Sequence, residues 1–188
     1  MDEYPLLTNI MLLTSGIEAC MEKQAMIPAL VLIYSAIDTT GWLDSTERFS
    51  TRTTFMCWVD NYLLKAKPLE CTAIDLYAAR CGLLHTFTPD SDLSLSGKAR
   101  VINYAWGKAK VEDVQQLIDH KNMSNQSVAV HVSELYQGWK SGLVLWGQDL
   151  DKDSNRCDRV RAKAEKFFAE LRVKTISEIL SATDNKKP

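Results

Sequence analysis

Leu6, Ile10, Leu13, Ile17 and Cys20 recur at three- or four-residue steps with Glu18 and Glu22 on the other side, so residues 5–23 read as an amphipathic helix. The next apolar stretch, AMIPALVLIYSAI, is greasy on every side. With Pro28 in its first turn it predicts a central bundle helix running to about Leu43. A third helix is expected over 52–64, capped by Ser50 or Thr51, with Phe55, Trp58, Val59 and Tyr62 on one stripe. Lys65 to Pro68 read as a connector. A fourth helix is expected from Leu69 to about Thr86, ended by the turn-rich TPDSD.

Beyond that loop the period changes. KARVINYAW (98–106) and SVAVHV (127–132) carry β-branched residues in partial alternation and predict two short strands, separated by a helix over 111–121. Ser133 is expected to cap a helix to about Leu150. Another is expected from Ser154 to about Leu171, with Val160, Ala164, Phe167 and Phe168 inward, and a short one around 176–180 before a disordered polar tail. The pattern predicts a mainly α fold in one domain of residues 1–188. A four-helix bundle over 5–87 carries an extension over 98–182 with a small two-stranded β element in the C-terminal half.

Composition narrows the function classes. The 188 residues are 46% hydrophobic and 24% charged, with formal net charge −2, so any nucleic-acid contact must come from a local patch. The five cysteines are scattered without a CxxC or a metal-finger spacing, which predicts free thiols in a reducing compartment and no bound metal. MDEYPLLTNIMLL lacks the basic start of a secretory signal. The longest apolar run (25–37) is shorter than the about 20 residues that cross a bilayer. A cytoplasmic protein with no membrane association is expected.

The chemistry concentrates in AIDLYAARCGLLHTFTP (73–89), an apolar helix that carries Arg80 and, late in it, His85. On an ideal helix these lie about 140° and roughly 7.5 Å apart, so only a curled arginine brings them together. His85 starts on the side of Ile74, Ala78 and Cys81, an apolar face. A histidine there can be a satisfied core group, and a buried arginine can exist to hold Asp38 or Asp75. The same two groups can also serve as phosphate ligand and acid–base catalyst.

An arginine, four residues and a histidine late in a helix of a helical bundle resembles the signature of the HEPN superfamily. IYSAIDTTGWLD and CTAIDLYAARCGLLHTFTPDSDLSLSGKARVINYAWG resemble bacterial proteins beside it, so the resemblance spans residues 5–107. It implies a bundle that dimerises so that two motifs line one cleft, and an endoribonuclease needing neither metal nor cofactor. Arg80 would bind the scissile phosphate and His85 would move protons, leaving a 2′,3′-cyclic phosphate and a 5′-hydroxyl. It also implies a role in phage defence or as a toxin, with a possible antitoxin or regulatory protein. The family often has Asn, Asp or His after the arginine where this chain has Cys81, and some toxin members have Tyr where this chain has Phe87. A non-catalytic module binding RNA, nucleotide or protein is the alternative.

Supporting positions follow from the residues. Asp38 closes an apolar run and needs a partner, either Arg80 or a hydrogen bond that orients His85. Tyr34 and Tyr77 each lie a turn from one of these groups and offer hydroxyls. Lys98, Arg100 and Lys108, interleaved with Tyr104 and Trp106, fit a single-strand RNA contact or an ordinary solvated strand. Cys81 as a nucleophile with His85 as its base is a further, weaker option.

Overall fold

The computed structural model describes residues 5–166. Their order is α1 (Pro5–Glu22), α2 (Met26–Asp44), α3 (Arg52–Trp58), a π-helical turn (Val59–Leu63), α4 (Leu64–Ala66), α5 (Ala73–Thr86) and α6 (Asp92–Leu95). Then follow β1 (Val101–Ala105), α7 (Val111–His120), β2 (Ser127–His131), α8 (Val132–Leu150) and α9 (Ser154–Ala164). The protein is mainly helical with one small sheet in its C-terminal half, as the hydrophobic pattern predicts. The last long helix ends at Ala164, short of the expected Leu171, while Phe167, Phe168, the helix expected at 176–180 and the tail lie outside the described residues.

The central element is α2. Ala29, Leu30, Ile33, Tyr34, Ala36, Ile37, Thr40, Gly41 and Leu43 are buried around most of its circumference, and α1, α3, α5, α8 and α9 pack on it. Its helical length, 19 residues, and its composition would suffice to cross a membrane, yet half of its most apolar window is buried inside the bundle. That is the pattern of a core helix wrapped by its neighbours.

The third helix is interrupted. Leu64 N–H bonds Val59 C=O, the wider ring of a π-turn. The extra residue turns Tyr62 and Leu63 towards α8, where Gly138 and Gly142 face them. A Cβ at Gly142 would lie 3.1 Å from the Trp58 ring and 3.2 Å from the Leu63 backbone, and one at Gly138 3.1 Å from Leu63 Cδ2. A steady 3.6-residue stripe gives no sign of this bulge.

β1 and β2 run parallel, in register from Val101 opposite Ser127 to Ala105 opposite His131. Parallel strands need a crossover, supplied by α7. Gln115 of α7 accepts the Ala129 N–H at 3.0 Å, so the outer side of β2 is closed by a side chain. The cap of α8 differs from expectation: His131 Nδ1 accepts from Ser133 N–H at 3.1 Å, so His131 and not Ser133 is the N-cap. α9 is tied to the end of α2 twice. Arg156 pairs with Asp44, and the buried Lys163 ammonium donates to the carbonyls of Trp42, Ser45 and Glu47 at 2.6–2.9 Å.

Candidate active site

α5 begins at Ala73, four residues later than hydrophobicity alone suggests. Thr72 and Asp75 form a reciprocal capping box that fixes the start. The helix ends at Phe87, whose backbone adopts the left-handed conformation (φ 55°, ψ 30°). The loop beyond it folds across Gly82, where a Cβ would sit 2.5 Å from the Asp90 carbonyl oxygen. The last turn therefore clears the core, and every residue from His85 to Asp90 is exposed.

Arg80 lies at the boundary. Its Nε donates to Asp38 Oδ2 at 2.6 Å, with side-chain exposures of 21% and 14%. Its Nη1 reaches His85 Nε2 at 3.4 Å. Guanidinium has no acceptor, so in this contact Nε2 is the bare nitrogen and the ring proton is on Nδ1. Asp38 Oδ1 in turn accepts from Ser50 Oγ at 2.9 Å. One hydrogen-bonded chain thus joins Ser50, Asp38, Arg80 and His85. Burial works against the Arg80 charge, but the Asp38 charge and hydrogen bond outweigh it and raise its pKa. The arginine is a fixed cation.

Asp38 is therefore the partner of Arg80, and the rival candidate Asp75 is taken elsewhere. The Asp75 carboxylate, side chain 3% exposed, accepts from Arg100 N–H at 2.7 Å and from Arg100 Nε and Nη2 at 3.1 and 2.8 Å. Asp38→Lys sets an ammonium against Arg80 and is expected to lower the melting temperature by about 5 °C. An unchanged circular-dichroism melt would show that the pair contributes nothing to the fold.

The remaining candidates separate. Tyr77 stays with the site: burial, then the neighbouring Cys81 thiol and the Asp38 charge, hold its phenol above the ordinary value against the pull of Arg80. The Arg52 guanidinium lies 5.8 Å from the centre of its ring. Tyr34 does not enter the site. It is fully buried and shares a 2.5 Å hydrogen bond with Tyr104 in the core. Cys81 lies beside Arg80 and Tyr77.

The basic strand divides. Arg100 is committed to Asp75 and to the Glu70 carbonyl at 2.8 Å. Tyr104 and Trp106 pack on the core, while Lys98 and Lys108 are exposed. The stretch passed over in the sequence is RFSTR (48–52), where Arg48 lies 5.1 Å over the Phe49 ring and Arg52 over Tyr77. Its signal is the same interleaving of cations and rings that drew attention to residues 98–108.

The site is an open surface. Two clefts of about 500 Å³ lie elsewhere, one between Leu69, Gln115 and Val130 and one beside Thr54 and Trp58. Among the described residues no three His, Cys, Asp or Glu side chains converge as a metal would require. Arg80 can hold an anion and His85 can accept a proton next to it, which together suit displacement at a phosphate. No protein-family model, no curated protein and no solved structure matches this chain.

Proposed function

We propose that the chain is an endoribonuclease of the HEPN kind that cleaves RNA by attack of the ribose 2′-hydroxyl on the adjacent phosphate. The observation that carries this reading is the surface chain Asp38–Arg80–His85, in which a held guanidinium stands 3.4 Å from Nε2 of an exposed imidazole. His85 Nε2 takes the 2′-hydroxyl proton, O2′ bonds to phosphorus, and the bond to the 5′-oxygen breaks. A protonated acid returns a proton to that oxygen. In a homodimer with two such sites in one cleft, the second copy's imidazole supplies it. Arg80 faces the charge that develops on the phosphoryl oxygens, and Asp38 keeps its planar group in place. The open surface suits a polymer substrate, and an antitoxin or regulatory protein is a candidate partner.

A second reading draws on the same ion pair. Asp38 and Arg80 tie α2 to α5, which is what a binding module without catalysis would need from them.

Purified protein incubated with total RNA in excess EDTA distinguishes the two. The nuclease is expected to leave 2′,3′-cyclic phosphate and 5′-hydroxyl ends. Intact RNA after incubation with a folded dimer would overturn the nuclease reading in favour of the binding module.

A further inference from the structure

Two phenylalanines stand where the fold has no use for them. Phe49 and Phe87 are each 68% exposed, and both border the hydrogen-bonded chain of the site. Phe49 precedes Ser50, the residue that holds Asp38, and Phe87 follows His85 by two positions. Phe87 is also in the backbone conformation that ends helices with glycine. A bulky ring at positive φ is strained, and exposed it recovers nothing by burial. Phe49 has a cation against it, since Arg48 lies 5.1 Å from its ring centre. Two exposed rings, one with a cation against it and both within two positions of residues of the chain that holds a guanidinium suited to a phosphate, are parts of a single-strand site in which bases stack on aromatic faces.

We propose that Phe49 and Phe87 are base-stacking residues that receive unpaired nucleobases on either side of the phosphate held by Arg80, so that the substrate is single-stranded RNA. A duplex cannot use them, because its bases are already stacked on one another. The purpose assigned to the stacking rests on the nuclease reading above. The stacking itself is testable without it.

The probe is a fluorescein-labelled 2′-O-methyl oligouridine, whose capped 2′-oxygens prevent cleavage, beside an abasic strand with the same methylated backbone and length. The wild type is expected to bind the oligouridine about a hundredfold tighter than the abasic strand, and Phe49→Ala to cut that difference to about tenfold. Phe49→Trp keeps a stacking face and is expected to retain it. Phe87→Gly relieves the backbone strain, so it is expected to melt at or above the wild-type temperature while binding about tenfold more weakly. Equal binding of the two strands by wild type, unchanged affinity in both variants, or no binding at all would each overturn the proposal. So would a shift in oligomeric state by sedimentation, which would give the rings to a protein interface. Base-dependent binding without any cleavage of unmodified RNA would remove the nuclease and leave the stacking in place.

Discussion

His85→Ala is expected to lower the rate of RNA cleavage by about 10²-fold or more and to leave the melting temperature within about 2 °C of wild type. The rate follows from the role: a positioned acid–base group contributes on the order of 10²–10⁴-fold. The stability follows from the position. His85 is exposed, lies in the last turn of α5, and makes one 3.4 Å contact to Arg80. A surface substitution of that kind changes folding free energy by about 0.5 kcal/mol or less. Arg80→Ala cannot serve the same purpose, because it removes the partner of a half-buried Asp38 and costs stability under either reading. Rates on a defined RNA, measured beside thermal melts of the same preparations, give both quantities. An active His85→Ala enzyme would remove the imidazole from the mechanism.

The largest loss of stability is expected at a residue outside the site. Asp75→Ala removes one buried carboxylate that closes the N-terminus of α5, receives the Arg100 N–H and pairs with the Arg100 side chain. The guanidinium and two backbone N–H groups would then lose their acceptor together. With the arginine still partly in water, the cost is about 2–4 kcal/mol, or roughly 5–15 °C for a chain of this size. The same carboxylate sets an acid limit. Burial alone would raise its pKa, but the hydrogen bonds from Arg100 and Thr72 outweigh burial and hold it below the usual carboxylate range. The unfolded chain then binds the proton more readily, so this contribution is full above about pH 4 and declines as pH falls towards the lowered value. Wild type is expected to lose melting temperature over that window, and Asp75→Ala to lose less of it. Parallel acid profiles would refute the assignment.

The helices were legible because each buries a stripe that repeats at the helical period, and α2 because its run has no polar side. Hydrophobicity misplaces the start of α5 at Leu69, because apolar residues run back past the TAID spacing of the capping box that puts it at Ala73. Asp38 could be singled out because a carboxylate closing an apolar run needs a partner. Choosing between Asp38 and Asp75 as the partner of Arg80 was beyond the sequence, since Arg100, just ahead of β1 and 25 positions away, competes for the second. The exposure of His85 was hidden for a related reason. Its helical angle points to an apolar face, but the bundle ends before that turn. RFSTR and RVINYAW each set an arginine near an aromatic ring, and only packing shows that the rings of the second are spent on the core while Phe49 is left in water.

The π-turn at Val59–Leu63 and the glycines at 138 and 142 constrain how this chain can change over time. With the bulge present, an alanine Cβ at 142 would lie 3.1 Å from the Trp58 ring and 3.2 Å from main chain, tight enough that a neighbour must give by a few tenths of an ångström. With the bulge lost, the same glycines would face a gap, and larger residues would become the better choice. Each change favours the other, so the two features are expected to be inherited as a pair. A descendant that has lost the inserted residue should show side chains at both glycine positions, and one that has kept it should show neither.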